Sequence, residues 1–255
     1  NMSMLSIERL SVGTIDKPLF TLEKQGFDKA SFWGIVGANG AGKSSFLKAI
    51  SGDHAYKGEI RFHDIELQEW DSVERARHIG VLPQSSSLTF SFKAQEVVSL
   101  GLTPLSLNHH ESKKLVRACM QRCDCEHLAD AEYPLLSGGE QQRVNLARVL
   151  VQISHAERTP LLLLDEALSA QDLGHQHQLL QLIKSLCIEQ DMLILAVLHD
   201  LNHALKYCDN TMIIHHGQIH STGFPTQVID EKALKTCWNY EAEFLSSRQG
   251  RAVVV

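Results

Sequence analysis

Eight consecutive residues, Gly37-Ala-Asn-Gly-Ala-Gly-Lys-Ser44, have the types and spacing to hold a polyphosphate. They fit G-x-x-x-x-G-K-[ST], the pattern of a phosphate-binding loop. Gly37, Gly40 and Gly42 let the backbone turn and come close to phosphate where a Cβ would clash. Successive backbone N–H groups then face inward as an anion nest. Lys43 adds a point charge for the β- and γ-phosphates, and the Ser44 hydroxyl suits Mg²⁺. The candidate contacts are Gly37, Asn39, Gly40, Ala41, Gly42, Lys43, Ser44 and Ser45. A helix is expected from Ser45 onward, and its positive end would aim at the phosphates. Trp33–Val36 supplies the buried strand before the loop.

Two further segments carry chemistry. Leu161-Leu-Leu-Leu-Asp165-Glu166 is an apolar run ending in two carboxylates. After a phosphate loop, the first acid suits a metal and the second can orient or deprotonate the attacking water. Asp165 is therefore assigned to Mg²⁺ and Glu166 to the water. Leu136-Ser-Gly-Gly-Glu-Gln-Gln-Arg143 is the other segment. Ser137 and Glu140 have capping-box spacing, so a helix should start there. Capping does not explain Gly138 and Gly139 in its first turn, where glycine weakens a helix. Bare amides at a helix N-terminus would suit a closely approaching γ-phosphate.

The elements that must position these groups are legible as apolar runs. Four of them end in a polar residue: Trp33–Val36 before Gly37, Ile79–Leu82 before Pro83-Gln84, Leu161–Leu164 before Asp165, and Leu193–Leu198 before His199. Short apolar runs separated by helical stretches read as buried parallel strands. Ligands lie outside the carboxyl ends of such strands. Lys43, Gln84, Glu166 and His199 are thus expected along one edge. Antiparallel strands are expected over Met4–Phe32 and Gly58–Phe62. Helices are expected at Ala94–Leu100, Glu111–Cys123, Glu140–Ile153 and Asp172–Gln190, with the first three forming a helical insert over about 85–150. Thr211–Ile214 and Ile219–Ser221 read as a hairpin turning at Gly217, and Pro225 begins one last helix running to Trp238.

The 255 residues are 44% hydrophobic and 21% charged, an ordinary globular balance. A net charge of −6 gives no basic surplus for nucleic-acid binding. No apolar run reaches the roughly 18 residues of a membrane span, and no signal peptide is legible. Asn1 before Met2 reads as a cloning remnant. The six cysteines are scattered, which fits reduced cytosolic thiols. Cys119, Cys123 and Cys125 lack a fourth ligand at zinc-like spacing and read as packing thiols. His54, His109, His110, His215 and His216 are expected to be exposed.

The loop at 37–44, Gln84, the Leu-Ser-Gly-Gly-Glu segment, Asp165-Glu166 and His199 resemble, in that order, the motifs of ABC-transporter ATP-binding subunits. The resemblance spans essentially the whole chain. It implies a single ATP-binding cassette over residues 1–255. The fold would be α/β, a P-loop NTPase (RecA-like) core with an N-terminal antiparallel β subdomain and an inserted α-helical subdomain. It implies a homodimer with ATP and Mg²⁺ sandwiched head to tail, Lys43 and Ser44 of one copy facing Ser137, Gly138 and Gly139 of the other. Gln84 would then sense Mg²⁺, His199 would contact the γ-phosphate, and Asp172 would lie in the loop joining the two sites. The implied partners are an integral membrane permease dimer and, indirectly, a periplasmic or extracellular substrate-binding protein, at the cytoplasmic face of the inner membrane.

Asp172-Leu-Gly-His-Gln-His-Gln-Leu-Leu180, Val81-Leu-Pro-Gln84 and Glu96-Val-Val-Ser-Leu-Gly101 are similar to haemin-import ATPases. His199-Asp-Leu-Asn-His203 also resembles the cobalamin-import branch, so haemin, cobalamin and ferric siderophore all stand as candidate cargoes. His175 and His177 follow the dimer-interface loop, where helix packing or capping accounts for them. Phe90 and Phe92, beyond Gln84, are candidate permease contacts. Ala167 and Gln171 depart from the family's usual proline and leucine, and no aromatic at 12–16 offers a platform for adenine. A soluble ABC ATPase that moves protein or nucleic acid is the rival reading. Such proteins carry long coiled coils or two cassettes, and this chain has one cassette and no sustained heptads.

Overall fold

The computed structural model describes residues 3–14, 16–84, 91–168 and 172–255. The chain divides into two compact units, residues 1–70 with 187–255, and residues 71–186. Its strands are β1 (Leu5–Gly13), β2 (Pro18–Phe27), β3 (Ser31–Val36), β4 (Tyr56–Phe62), β5 (Ile65–Glu66), β6 (Ile79–Leu82), β7 (Leu161–Leu164), β8 (Leu193–Val197), β9 (Asn210–His215), β10 (Gln218–Gly223), β11 (Phe244–Ser246) and β12 (Ala252–Val254). Its helices are α1 (Lys43–Ser51), α2 (Ser72–His78), α3 (Ala94–Ser99), α4 (His109–Arg122), α5 (Gly138–Ile153), α6 (Leu173–Glu189), α7 (Leu201–Tyr207), α8 (Pro225–Val228) and α9 (Glu231–Trp238).

In the first unit the strand order is β5-β4-β1-β2-β10-β9-β3-β8. The expected antiparallel strands are present: β1 pairs antiparallel with both β2 and β4. β1 buries Leu5 and Ile7, then Leu10 and Val12. Strict alternation would put Arg9 inside. Instead Arg9 adopts φ 50 and the β1–β4 register shifts between Glu8 and Ser11, so the next hydrophobic pair returns to the core. β3 and β8 are buried along their whole length and pair in parallel, as their unbroken apolar runs predict.

The second unit contains the parallel pair β6–β7 and helices α2 to α5. Helix α5 is its spine, burying Gln142, Val144, Asn145, Leu146, Val149 and Ile153. Asn108 starts α4 in a capping box with Glu111, so that helix begins earlier than expected. Cys119, Cys123 and Cys125 are buried. Burial pushes the Cys119 thiol up to about 11 and that of Cys125 to about 12.

The last helix departs from expectation. It is not continuous from Pro225 to Trp238 but breaks at Ile229 and Asp230. Asp230 is extended and its carboxylate accepts from the Ala233 N–H at 2.7 Å, so it starts α9 afresh. Elements not anticipated include α2, N-capped by Asp71, helix α7, the short strand β5 and the β11–β12 hairpin. Asn202 in α7 pairs with the backbone of Val254 in that hairpin, accepting at 2.8 Å and donating at 3.1 Å. His109, His110 and His216 are exposed as expected, whereas His54 and His215 are half-buried.

Candidate functional site

The phosphate loop belongs to the first unit. β3 delivers the chain to Gly37, where a Cβ would collide with the Ile214 carbonyl oxygen. Gly42 sits at φ 108, and a Cβ there would lie 2.8 Å from the Leu19 carbonyl oxygen. Glycine is demanded at both positions by backbone, not by side chains. The loop is stapled from outside: Gly217 donates to Ala41 O at 2.8 Å, and Thr21 donates to Gly217 O at 2.7 Å. Helix α1 starts on Gly42, which has no side chain to cap it, and its first turn carries no acid. Its N-terminal amides therefore keep their positive potential. Lys43 is buried, and its Nζ donates to Gly37 O at 2.7 Å and Ala38 O at 3.0 Å. An ammonium and a helix end thus act on the same loop, which is what a polyphosphate needs. Asn39 and Gly40 are exposed.

His199 reaches the same edge of this unit. Ile35 of β3 pairs with Val197 of β8, and Leu198 donates to Ile35 O at 3.0 Å. Gly37 and His199 are each the second residue after that pair, and His199 is exposed. Asp200 then caps α7 by accepting from the Asn202 N–H at 2.8 Å.

The second unit repeats the arrangement. Leu82 of β6 pairs with Leu164 of β7, and Asp165 donates to Leu82 O at 3.1 Å. Gln84 and Glu166 each follow two residues after that pair. Glu166 has φ 54, a left-handed conformation costly for a residue with a Cβ. Strained backbone of this kind clusters at functional sites. Gln84 is tied to α5, because the buried Gln142 amide donates to Gln84 O at 2.8 Å and to Pro83 O at 3.1 Å. Ala167 is buried, while Gln171 and Phe90 lie outside the described residues. Phe92 is half-buried, and its carbonyl accepts from the Tyr133 N–H.

Ser137 starts α5 as its spacing predicts. The Glu140 N–H donates to Ser137 Oγ at 3.3 Å, while Ser137 N–H and Oγ both donate to Glu140 Oε2 at 2.8 Å. The Ser137 backbone N–H, then its hydroxyl, hold the Glu140 carboxyl below its usual range. Ser137 and Gly138 are exposed, and Gly139 is buried. Asp172 plays the same capping role for α6, accepting from the His175 N–H at 3.0 Å.

Sequence reasoning gave Gln142 no separate role, and it read His175 as a helix-packing or capping residue without naming its partners. A signal for Gln142 existed. It shares the α5 face of Leu146, Val149 and Ile153 at helical spacing, which marks it as a polar group inside a core. His175 packs and caps as expected: its bonds to Asp172 are local, and only its contact with Gly139 is made across sequence.

A family description, ABC transporter, matches residues 25–169. The haemin import ATP-binding protein HmuV of Shewanella denitrificans is 44% identical over 96% of this chain and 97% of its own length. Its namesake in Vibrio cholerae serotype O1 is 43% identical over 82% of this chain and 80% of its own. This chain belongs to the ABC-transporter ATP-binding family. It is an ATP hydrolase coupled to transport. Solved ABC structures share its fold. One is an inward-facing transporter of metal-chelate type, with TM-score 0.82 and 22% identity over 99% of this chain and 97% of that one. Another is cbiO1 of Clostridium perfringens, part of the transporter complex cbiONQ, with TM-score 0.79 and 26% identity over 94% and 95%.

Proposed function

We propose that this ABC ATPase powers haemin import through a membrane permease, working as a pair of identical copies. One observation carries the cargo assignment: a relative alignable end to end, at 44% identity, is a haemin import ATP-binding protein. No helix among the described residues is long and apolar enough to cross a membrane. In the proposed assembly, by analogy with its haemin-import relatives, the subunit engages the membrane through its permease, from the cytoplasmic face, and a substrate-binding protein on the far side delivers cargo. Residues 1–255 act as one ATP-binding cassette, whose helical insert over about 85–150 carries motion to the permease.

The assignment of roles follows the chemistry of each side chain. The amides of Gly37, Asn39, Gly40, Ala41, Gly42, Lys43, Ser44 and Ser45 hold the phosphates of ATP, and the Lys43 ammonium neutralises them. Ser44, Gln84 and Asp165 offer a hydroxyl, an amide oxygen and a carboxylate. This all-oxygen donor set fits Mg²⁺. When bound, Mg²⁺ supplies charge neutralisation across the β- and γ-phosphates. Glu166 accepts a proton from the attacking water, and its left-handed backbone fixes the direction in which its side chain leaves β7. His199 donates to the γ-phosphate. Ser137, Gly138 and Gly139 of the second copy, with Asp172, complete the enclosure of the triphosphate.

Glu166→Gln should leave ATP binding intact and cut turnover by at least ~10²-fold. Unchanged hydrolysis in that variant would remove Glu166 from its role. Transport by the reconstituted complex, measured with haemin, cobalamin and a ferric siderophore, tests the cargo. Uptake of cobalamin or siderophore alone would reassign the substrate. Purification with no multi-spanning partner would favour a soluble ABC ATPase.

A further inference from the structure

We propose that His175 is a positioning residue that locks Asp172 to the first turn of α5, joining two segments that both serve the second copy's nucleotide. The proposal rests on the reading of Ser137–Gly139 and Asp172 given above. Two observations meet at this side chain, both within the second unit.

First, His175 lies against Gly139. A Cβ added to Gly139 would come 3.1 Å from His175 Cγ and Cδ2 and 3.3 Å from its Cβ. Gly139 is buried, so the imidazole covers it. This gives the second glycine of the α5 start a steric reason that helix propensity alone argues against.

Second, the same residue grips Asp172 twice. The His175 backbone N–H donates to Asp172 Oδ1 at 3.0 Å, and Nδ1 lies 2.8 Å from Oδ2. The backbone bond first, then the ring, hold the Asp172 carboxyl below its usual range. An ionised carboxylate only accepts, so Nδ1 carries the proton and donates.

An ordinary cap needs none of the ring contacts. The backbone bond alone would start α6. The ring adds a tie from the Asp172 carboxylate to the surface of Gly139. Ser137 is in turn fixed to Glu140, and Arg143 of α5 bonds Gln178 of α6 at 2.7 Å. Asp172 and residues 137–139 thus form one body, so a second copy meets both together or neither.

The test uses the full chain carrying Glu166→Gln, with ATP-dependent dimer formation read by light scattering. ATP binding to the monomer is read by equilibrium titration. Asp172→Ala, His175→Ala, His175→Asn and the Asp172→Ala/His175→Ala pair are compared. His175→Ala should weaken dimer formation about tenfold, as coupled neighbours do, with monomer ATP affinity and thermal midpoint nearly unchanged. His175→Asn keeps a donor near the Nδ1 position and should recover part of the loss. On the Asp172→Ala background, His175→Ala should cost nothing more. Full dimer formation by His175→Ala, while Asp172→Ala fails, overturns the proposal. Simple additivity of the two losses also overturns it, as does a loss that tracks the thermal midpoint. If Asp172→Ala itself dimerises normally, the underlying reading of Asp172 fails instead.

Discussion

Helices α1 and α5 both have glycine at their start, as the cap of α1 and as the first residue of α5, and their N-termini differ in charge. α1 has Gly42 as its cap, no acid in its first turn and a cation at its first position. α5 has Ser137 as its cap, and the Glu140 carboxylate accepts from the Ser137 backbone N–H at 2.8 Å. The first end keeps its positive potential and adds to it. The second has its Glu140 amide taken by Ser137 Oγ and carries a negative charge in its first turn. An identical backbone dipole therefore makes one end a phosphate binder in its own right. The other, with a carboxylate in its first turn, is the weaker anion binder. That asymmetry suits the proposed two-copy sandwich, in which each site would pair one strong half with one weak half.

Lys43→Ala should give the largest effect, lowering ATP affinity of the isolated chain by about 10- to 100-fold, the range for a lost charged hydrogen bond. Ser137→Ala should leave that affinity within about twofold while lowering turnover. Calorimetric titration with Mg·ATP checks both, and equal losses would erase the distinction between the two ends.

Stability should separate them next. Gly42→Ala places a Cβ 2.8 Å from the Leu19 carbonyl at positive φ, and should cost about 1–3 kcal/mol. Ser137→Ala removes a helix cap and should cost about 1 kcal/mol. Urea unfolding of the two variants reads both values, and a costlier Ser137→Ala would reverse the proposed order.

The smallest effect concerns pH. The Glu140 carboxyl titrates lower in the folded chain than when unfolded. Its contribution is therefore complete above the unfolded value and fades as pH falls through the folded one. Glu140→Gln should flatten the acid limb of a stability profile below pH about 4.5. Gly42, with no carboxylate beside it, gives α1 no acid-labile cap. An unaltered acid limb in Glu140→Gln would mean that the cap does not depend on charge.

Local chemistry was readable in the chain itself. The glycine loop, the Ser137–Glu140 box and the parallel strands are each specified by residues close in sequence, so type and spacing suffice. What escaped is set by distant partners. Nothing near Gly139 announces that His175 will cover it, and nothing near Glu166 announces its left-handed backbone. The break between α8 and α9 is a different failure. Asp230 three residues before Ala233 is a legible cap, but the strong start at Pro225 outweighed it. Gln142 was legible too, as a polar residue on an apolar face, and was read only as part of a motif.

The bidentate pairing of Asn202 with Val254 has a practical consequence. The turn between β11 and β12 is exposed at Arg248 and Gln249. A dye attached there would ride on a hairpin fastened to α7, the helix that begins just after His199. It would report any rotation of that helix on addition of ATP, without a label placed on the phosphate loop itself.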